Sequence, residues 1–186
     1  MLKKEHRIKL INHKVNMGYT AAMNTALKHA TGDIIFFIDS DGQYKISEID
    51  DFVNKINQGY DLVVCQRERI NDTKLRIFLS KGYNFLFRLL FRVKEKDVDC
   101  GMRAFKRGCA KQVKFLYNPV GAELFAKGTK LGWKIARIDV THLKRTHGKS
   151  HFSTPRLPFK LLKIMLQTFK LRIETSKKFD FRKARE

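Results

Sequence analysis

The chain has 186 residues, with 39 Lys or Arg against 18 Asp or Glu and a formal net charge of +21. That length suits one domain with a sizeable core, and the excess of positive charge points to an anionic partner: phosphates, nucleic acid or an acidic membrane surface. Cys65, Cys100 and Cys109 show no paired metal-ligand spacing, which argues against a disulfide framework and for a reducing compartment. Met1 to Lys4 lead into further charge, not into an apolar signal region. No apolar stretch approaches the roughly 18 residues of a membrane span, so contact with a membrane would be made by lying on it.

In chain order, Ile8–Ile11 reads as a short strand. Tyr19–Ala30 has helical spacing, with Ala22, Ala26 and Ala30 on one face and Met23 and Leu27 beside it. Gly32 is placed to end that helix. Ile34–Ile38 is an apolar run bounded by Gly32 and by Asp39, the pattern of a buried strand. Ile46–Ile56 reads as a helix with Ser47 as its N-cap and Asp50 and Asp51 in its first turns. Gly59 stops it, and Asp61–Cys65 is another short strand. This alternation predicts an α/β fold with a largely parallel sheet, whose ligands gather at the carboxyl ends of strands, where Asp39, Asp41, Gln66 and Arg67 fall.

The second half has a different texture. Lys74–Val93 is helical in pattern, with a polar stripe of Lys81, Asn84, Arg88 and Arg92 on a broad apolar remainder. Asp97–Arg103 precedes a further predicted helix, and Ile135–Val140 is strand-like. Leu157–Ile173 repeats the striped design with Lys160, Lys163, Gln167 and Lys170. Such helices suit either the headgroup region of a membrane or a packed core. From Ser176 the charged tail reads as disordered. The implied organisation is an α/β domain over residues 1–152, an amphipathic helix over 153–175 that could lie at a membrane interface, and a charged tail over 176–186.

The chemistry concentrates at Asp39-Ser40-Asp41-Gly42-Gln43. Two carboxylates at the tip of a buried strand either form an ordinary turn or meet a hard divalent cation, which prefers oxygen ligands and bridges carboxylates to substrate phosphates. Basic clusters follow at Gln66–Arg69, Asp97–Arg103 and His142–Ser150, where arginine would grip phosphate oxygens bidentately or simply face solvent. His142 and His147 lack zinc-site spacing. Glu123 is either a buried functional carboxylate or the N-terminal charge of a helix.

In their order these motifs resemble a family 2 glycosyltransferase of the GT-A type, and within it the polyprenyl-phosphate (dolichol-phosphate mannose synthase-like) sugar transferases. Asn16-Met17-Gly18, Ala22 with Asn24, Ala30–Asp33 and Asp39–Gln43 are similar to the family's nucleotide-sugar and metal region. Arg67 to Arg69, Ser80, Tyr83-Asn84 and Asp97–Arg107 resemble its acceptor side. Glu123-Leu124-Phe125, Val140, His142, Arg145 and Gly148-Lys149-Ser150 resemble its closing segment. The resemblance implies a metal-dependent, inverting transfer of sugar from a nucleotide-sugar donor to a polyprenyl phosphate. Asp39, Asp41 and Gln43 would hold Mg²⁺ or Mn²⁺, with Asp41, Arg103 and Arg145 in catalytic roles. Asn16, Gly18, Asp33, Arg67, Asp99, Glu123, Lys149 and Ser150 would bind substrates. It also implies an enzyme that is peripheral at the cytoplasmic face of an anionic membrane, or cytoplasmic, and a chain that starts after the family's opening strands; a nucleic-acid partner is not expected, because the aromatic residues lie in apolar helices and are not interleaved with basic ones. Those opening strands would then come from a segment in trans, or the chain would act as a homo-oligomer, a catalytically impaired fragment or a non-catalytic membrane-associated partner of a glycosyltransferase. Tyr19 departs from the pattern, standing where the family often has a small or basic residue.

Overall fold

The computed structural model describes residues 8–68, 74–93, 96–143 and 157–176. Along the chain they form α1 (Tyr19–His29), β1 (Ile34–Ile38), a 3-10 turn (Ile46–Glu48), α2 (Ile49–Asn57), β2 (Leu62–Glu68) and α3 (Lys74–Phe91). Then come β3 (Met102–Lys106), α4 (Arg107–Ala110), α5 (Val120–Lys130), β4 (Ile135–Thr141) and α6 (Leu157–Ser176). The strands make one sheet in the order β1-β3-β2-β4, flanked by helices in the expected α/β manner.

The sheet is mixed: β1, β2 and β4 share one direction, as a largely parallel sheet requires, and among the described strands β3 runs against them. β2 and β4 run parallel from Leu62↔Ile135 to Glu68↔Thr141. β3 runs antiparallel to both neighbours, with Ile38↔Met102 on one side and Val64↔Arg103 on the other. Its sequence, MRAFK, hides its nature, because Arg103 breaks the apolar run of a strand buried on both faces. The segment Asp97–Arg103 therefore runs into a strand first, and the helix that follows, α4, starts at Arg107. The reversal matters: it brings the loop before β3 to the carboxyl ends of β1 and β2.

The core lies on both sides of β3. Phe52 and Ile56, one helical turn apart on α2, are buried, and α2 packs on β3. Phe52 meets Phe36 edge-on with ring centres 5.2 Å apart. On the other side Phe87 of α3 stacks on Phe91 at 4.3 Å and meets Phe125 of α5 at 6.3 Å. Burying one such ring contributes about 1.5–3 kcal/mol. All three cysteines are free and buried.

Local signals were partly overridden. Residues Ile8–Ile11 form no strand, and Ile8, Leu10 and Ile11 are exposed, since among the described residues no strand lies alongside to complete a ladder. α1 ends at His29, with Ala30 already extended, ahead of Gly32. The 3-10 turn precedes α2 without any side-chain cap, from Ser47 or otherwise. α6 packs against α3 and α5 through a face that includes buried Thr168 and Leu171. Thr168 Oγ1 lies 3.3 Å from the Tyr83 hydroxyl, and the Tyr117 hydroxyl donates to Glu174. Its large apolar residues Phe159, Leu162, Leu166, Phe169 and Ile173 point outward. No helix among the described residues is long and apolar enough to cross a membrane. The predicted tail, residues 177–186, lies outside the described residues.

Candidate active site

The site forms where β1 ends. Asp41 Oδ1 accepts the Gln43 N–H at 3.1 Å, closing a turn in which Gly42 takes a left-handed φ of 73°. Gln43 is buried and stitches this turn to the end of β4: its side-chain amide donates to the Leu143 carbonyl at 3.1 Å, and the Leu143 N–H returns a bond to the Gln43 carbonyl at 2.9 Å. The Asp39 N–H donates to the Gly101 carbonyl at 3.1 Å. The Gly101 N–H donates to the Tyr44 hydroxyl at 2.9 Å. A Cβ on Gly101 would sit 2.1 Å from Asp39 Oδ2, so only glycine lets the carboxylate rest on this backbone.

Asp99 and Arg103 come to the same place. Arg103 is buried; one of its terminal nitrogens donates to the Cys100 carbonyl. Its Nε and Nη1 are buried with no hydrogen-bond partner among the described residues. Asp99 Oδ1 accepts the Gly121 N–H at 3.2 Å in the first turn of α5. A Cβ on Gly121 would lie 2.5 Å from Arg103 Nη1 and 2.8 Å from Asp99 Oδ1. Burial pushes the carboxyls of Asp39 and Asp99 above the usual range, the Arg103 guanidinium opposes this for both, and the like charge of Asp41 adds to the rise at Asp39. Tyr19, the first residue of α1, donates its hydroxyl to Asp39 Oδ1 at 3.3 Å. Burial pushes that hydroxyl up to about 12 against the pull of Arg103, so it remains a donor at neutral pH.

A largely buried guanidinium and a groove adjoin this cluster. Arg67, at the end of β2, pairs bidentately with Asp97 at 2.6 and 2.7 Å and donates to the Asp99 carbonyl at 3.1 Å. Its expected phosphate grip is thus at least shared with an anchoring task. Buried Asn84 of α3 accepts the Val98 N–H at 3.1 Å and donates to the Ser80 carbonyl at 2.9 Å, tying the same loop to α3. Between them opens a cavity of about 570 Å³, lined among others by Ser80, Lys81, Phe85, Arg88 and Lys96. It combines cationic and apolar walls.

Other sequence candidates stand apart. Asp33 sits at the opposite end of β1, roughly 20 Å along the strand from Asp39 at about 3.3 Å per residue. Its exposed carboxylate pairs with Arg107 at 3.0 Å. Asn16 Oδ1 accepts the Gly18 N–H at 2.9 Å, and Gly18 at φ 83° starts α1. Glu123 is fully buried in the first turn of α5, accepting the N–H groups of Leu116 and Tyr117 at 3.0 and 2.8 Å and the Lys127 ammonium at 2.6 Å; it is the N-terminal helix charge that the sequence offered, and it also clamps the loop before α5. Arg69, Arg145, His147, Gly148, Lys149 and Ser150 lie outside the described residues. Sequence reasoning missed Tyr44, Gly101 and Gly121, whose value lies in close approach that periodicity does not register.

Among the described residues no three His, Cys, Asp or Glu side chains gather to hold a metal. Asp39 and Asp41 offer two mutually repelling carboxylates at one turn. This all-oxygen set fits a hard divalent ion that fills its remaining positions with phosphate and water.

The sequence model of Glycosyl transferase family 2 matches residues 1–114. The chain is 32% identical over 142 residues to the undecaprenyl-phosphate 4-deoxy-4-formamido-L-arabinose transferase of Shewanella sediminis (strain HAW-EB3), covering 74% of this chain and 41% of that one. It is 31% identical over 149 residues to the transferase of the same name from Klebsiella pneumoniae (strain 342), covering 76% and 43%. It thus spans less than half the length of these curated relatives. In three dimensions it is similar to glucosyl-3-phosphoglycerate synthase from Mycobacterium tuberculosis, crystallised with Mn²⁺, uridine-diphosphate and phosphoglyceric acid. That likeness has a TM-score of 0.66 at 17% identity, over 90% of this chain and 57% of the other, and shows the shared GT-A fold.

Proposed function

The chain belongs to glycosyltransferase family 2, and from that premise we propose that it transfers a sugar from a nucleotide-sugar donor to a polyprenyl phosphate. One observation carries the reading: antiparallel β3 brings the Asp99–Arg103 loop against the Asp39–Gln43 turn, so that a carboxylate pair and an under-bonded guanidinium face one site beside a cationic, apolar-walled cavity. The names of the two curated relatives support the acceptor class.

In this reading Asp39 and Asp41 hold Mg²⁺ or Mn²⁺, and Gln43 keeps their turn in register with β4. The ion, when bound, neutralises charge on the departing nucleoside diphosphate. Arg103 has N–H groups to spare for a diphosphate or an acceptor phosphate, and it is preorganised by burial. The acceptor phosphate is already an anionic nucleophile, so no strong general base is needed. Its oxygen bonds to the anomeric carbon as the bond to the diphosphate oxygen breaks from the opposite face, inverting the centre. The polar head of the lipid lies near Arg67, Lys81 and Arg88, and its chain runs past Phe85. Arg145, Lys149 and Ser150 are proposed from the sequence alone to bind phosphate oxygens.

The outward apolar stripe of α6, flanked by Lys163 and Lys170, and exposed Phe78, Phe85 and Leu89 of α3 suit an anionic membrane surface on the cytoplasmic side. β1 is an edge strand of the described sheet, and an open edge invites a further strand. This favours a second reading, in which the chain works with another copy or with a segment in trans.

A transfer assay with radiolabelled nucleotide sugars and polyprenyl phosphate tests the proposal on the full chain. Label moving into the lipid phase, and lost in Asp39→Asn and Arg103→Ala, is the expected result. No transfer together with no binding of Mn²⁺ and nucleoside diphosphate by calorimetry overturns it; binding without transfer favours the second reading.

A further inference from the structure

We infer that the Tyr19 hydroxyl is a built-in competitor for the cation-binding carboxylate, holding Asp39 Oδ1 until a metal ion displaces it and so setting the metal affinity of the site. The inference rests on the reading of Asp39 and Asp41 as metal ligands. Three observations carry it. First, both Asp39 oxygens are engaged: Oδ1 accepts the Tyr19 hydroxyl at 3.3 Å, and Oδ2 lies so close above Gly101 that a Cβ there would be 2.1 Å away. A cation approaching Oδ1 on the side that the phenol occupies would displace Tyr19, since the backbone beside Oδ2 is the less movable neighbour.

Second, the phenol is delivered by an anchored element and is not a wandering surface side chain. Gly18 takes φ 83° to start α1, with its N–H fixed by Asn16 Oδ1 at 2.9 Å. Further along α1, Asn24 exchanges two hydrogen bonds with the Phe115 backbone at 2.8 and 2.9 Å, and Thr20 donates to the Tyr117 carbonyl at 3.3 Å. Third, Tyr19 is 43% exposed as a residue, so its side chain has solvent into which to swing. The hydroxyl is thus positioned to shield a carboxylate that also feels the like charge of Asp41. Tyr19 acts through Asp39 and is a positioning residue.

The test compares wild type, Tyr19→Phe and Asp39→Asn in the full chain. Free Mn²⁺ is followed by electron paramagnetic resonance, and the tyrosine ¹³Cζ signals by NMR on adding Mg²⁺. Removing the competing bond should tighten Mn²⁺ binding in Tyr19→Phe by about fivefold, the scale of one modest hydrogen bond at tenfold per 1.4 kcal/mol. The unfolding midpoint should not move. In wild type one ¹³Cζ signal, absent from Tyr19→Phe, should shift as Mg²⁺ saturates; a purely structural tyrosine would not respond. Asp39→Asn should lose Mn²⁺ binding. Unchanged or weaker Mn²⁺ binding in Tyr19→Phe, with wild-type binding intact, overturns the inference and leaves the metal site standing. No Mn²⁺ binding by either wild type or Tyr19→Phe overturns the metal reading and this inference with it.

Discussion

Glu123 is the residue for which structure and sequence resemblance give the sharpest opposing expectations. Its side chain is wholly buried, and the Lys127 side chain paired with it is 10% exposed. Glu123→Ala would strand the Lys127 ammonium with only the Lys114 carbonyl at 2.7 Å, and would orphan the N–H groups of Leu116 and Tyr117. Removing one partner of a buried ion pair costs about 3–5 kcal/mol. The orphaned donors, at about 1–3 kcal/mol each, are partly included in that figure and are not added again. Against a total of about 5–15 kcal/mol for a domain, the variant should stand close to its unfolding threshold. At about 2–4 °C per kcal/mol for this size, a loss of 3 kcal/mol lowers Tm by about 6–12 °C. Glu123→Gln, which keeps shape and one acceptor, should lose less. Glu123→Leu with Lys127→Met, which removes both charges, should recover part of the loss. Trp133 is the only tryptophan and packs on Gly128 at the end of the same helix, so its fluorescence during urea unfolding reports the result directly. A Glu123→Ala protein within about 1 kcal/mol of wild type, but deficient in substrate binding, would refute the clamp and restore Glu123 as a ligand-binding carboxylate.

Gly101→Ala should destabilise the fold by about 1–3 kcal/mol, the usual range for overpacking, and weaken Mn²⁺ binding, because the new methyl collides with Asp39 and with Tyr44; calorimetry and urea unfolding check both effects. Partial burial pushes the Asp61 carboxyl up, but Lys106 and the Lys134 N–H outweigh it and hold the group below the usual range. Its stabilisation is therefore present above the unfolded value of about 3.9 and is lost as pH falls through the lower folded value. Asp61→Asn should cost about 1 kcal/mol or less at pH 7, since the pair is open to solvent, and nothing in strong acid. Replacing Lys160, Lys163 and Lys170 with Glu should weaken binding to anionic vesicles and flatten its salt dependence; sedimentation with neutral and anionic vesicles would show it.

What the sequence disclosed depended on how each signal is encoded. β1 was legible because five apolar residues run between Gly32–Asp33 and Asp39, and the helical spans of α3 and α6 because their stripes repeat at helical spacing. β3 was hidden by Arg103 and Lys106, whose charges argue for a surface although Arg103 is buried at the centre of the sheet. With β3 unread, no inspection of spacing could bring Asp99 to Asp39 across sixty positions of chain. Residues whose work is done by a carbonyl, an N–H or a missing methyl leave no pattern either, as Gly101 and Gly121 illustrate. Asn24 was singled out through resemblance and Glu123 already as a carboxylate in an apolar context, and both turn out to hold the loop around Phe115 to Tyr117 in place.

The stacking of Asp39 on Gly101 has a consequence for the order of events at the site. Asp39 donates its backbone N–H to the very residue on which its side chain rests, and the next residue toward α3, Cys100, receives Arg103. Two loops that would face different substrates thus share one short rigid joint. Any ligand that shifts one of them changes the free energy of the other, and by thermodynamic reciprocity the second ligand must return the same factor. Occupancy of the carboxylate turn and of the cavity beside α3 would then be read out as one binding equilibrium with two handles, and measuring either in isolation would miss the factor that links them.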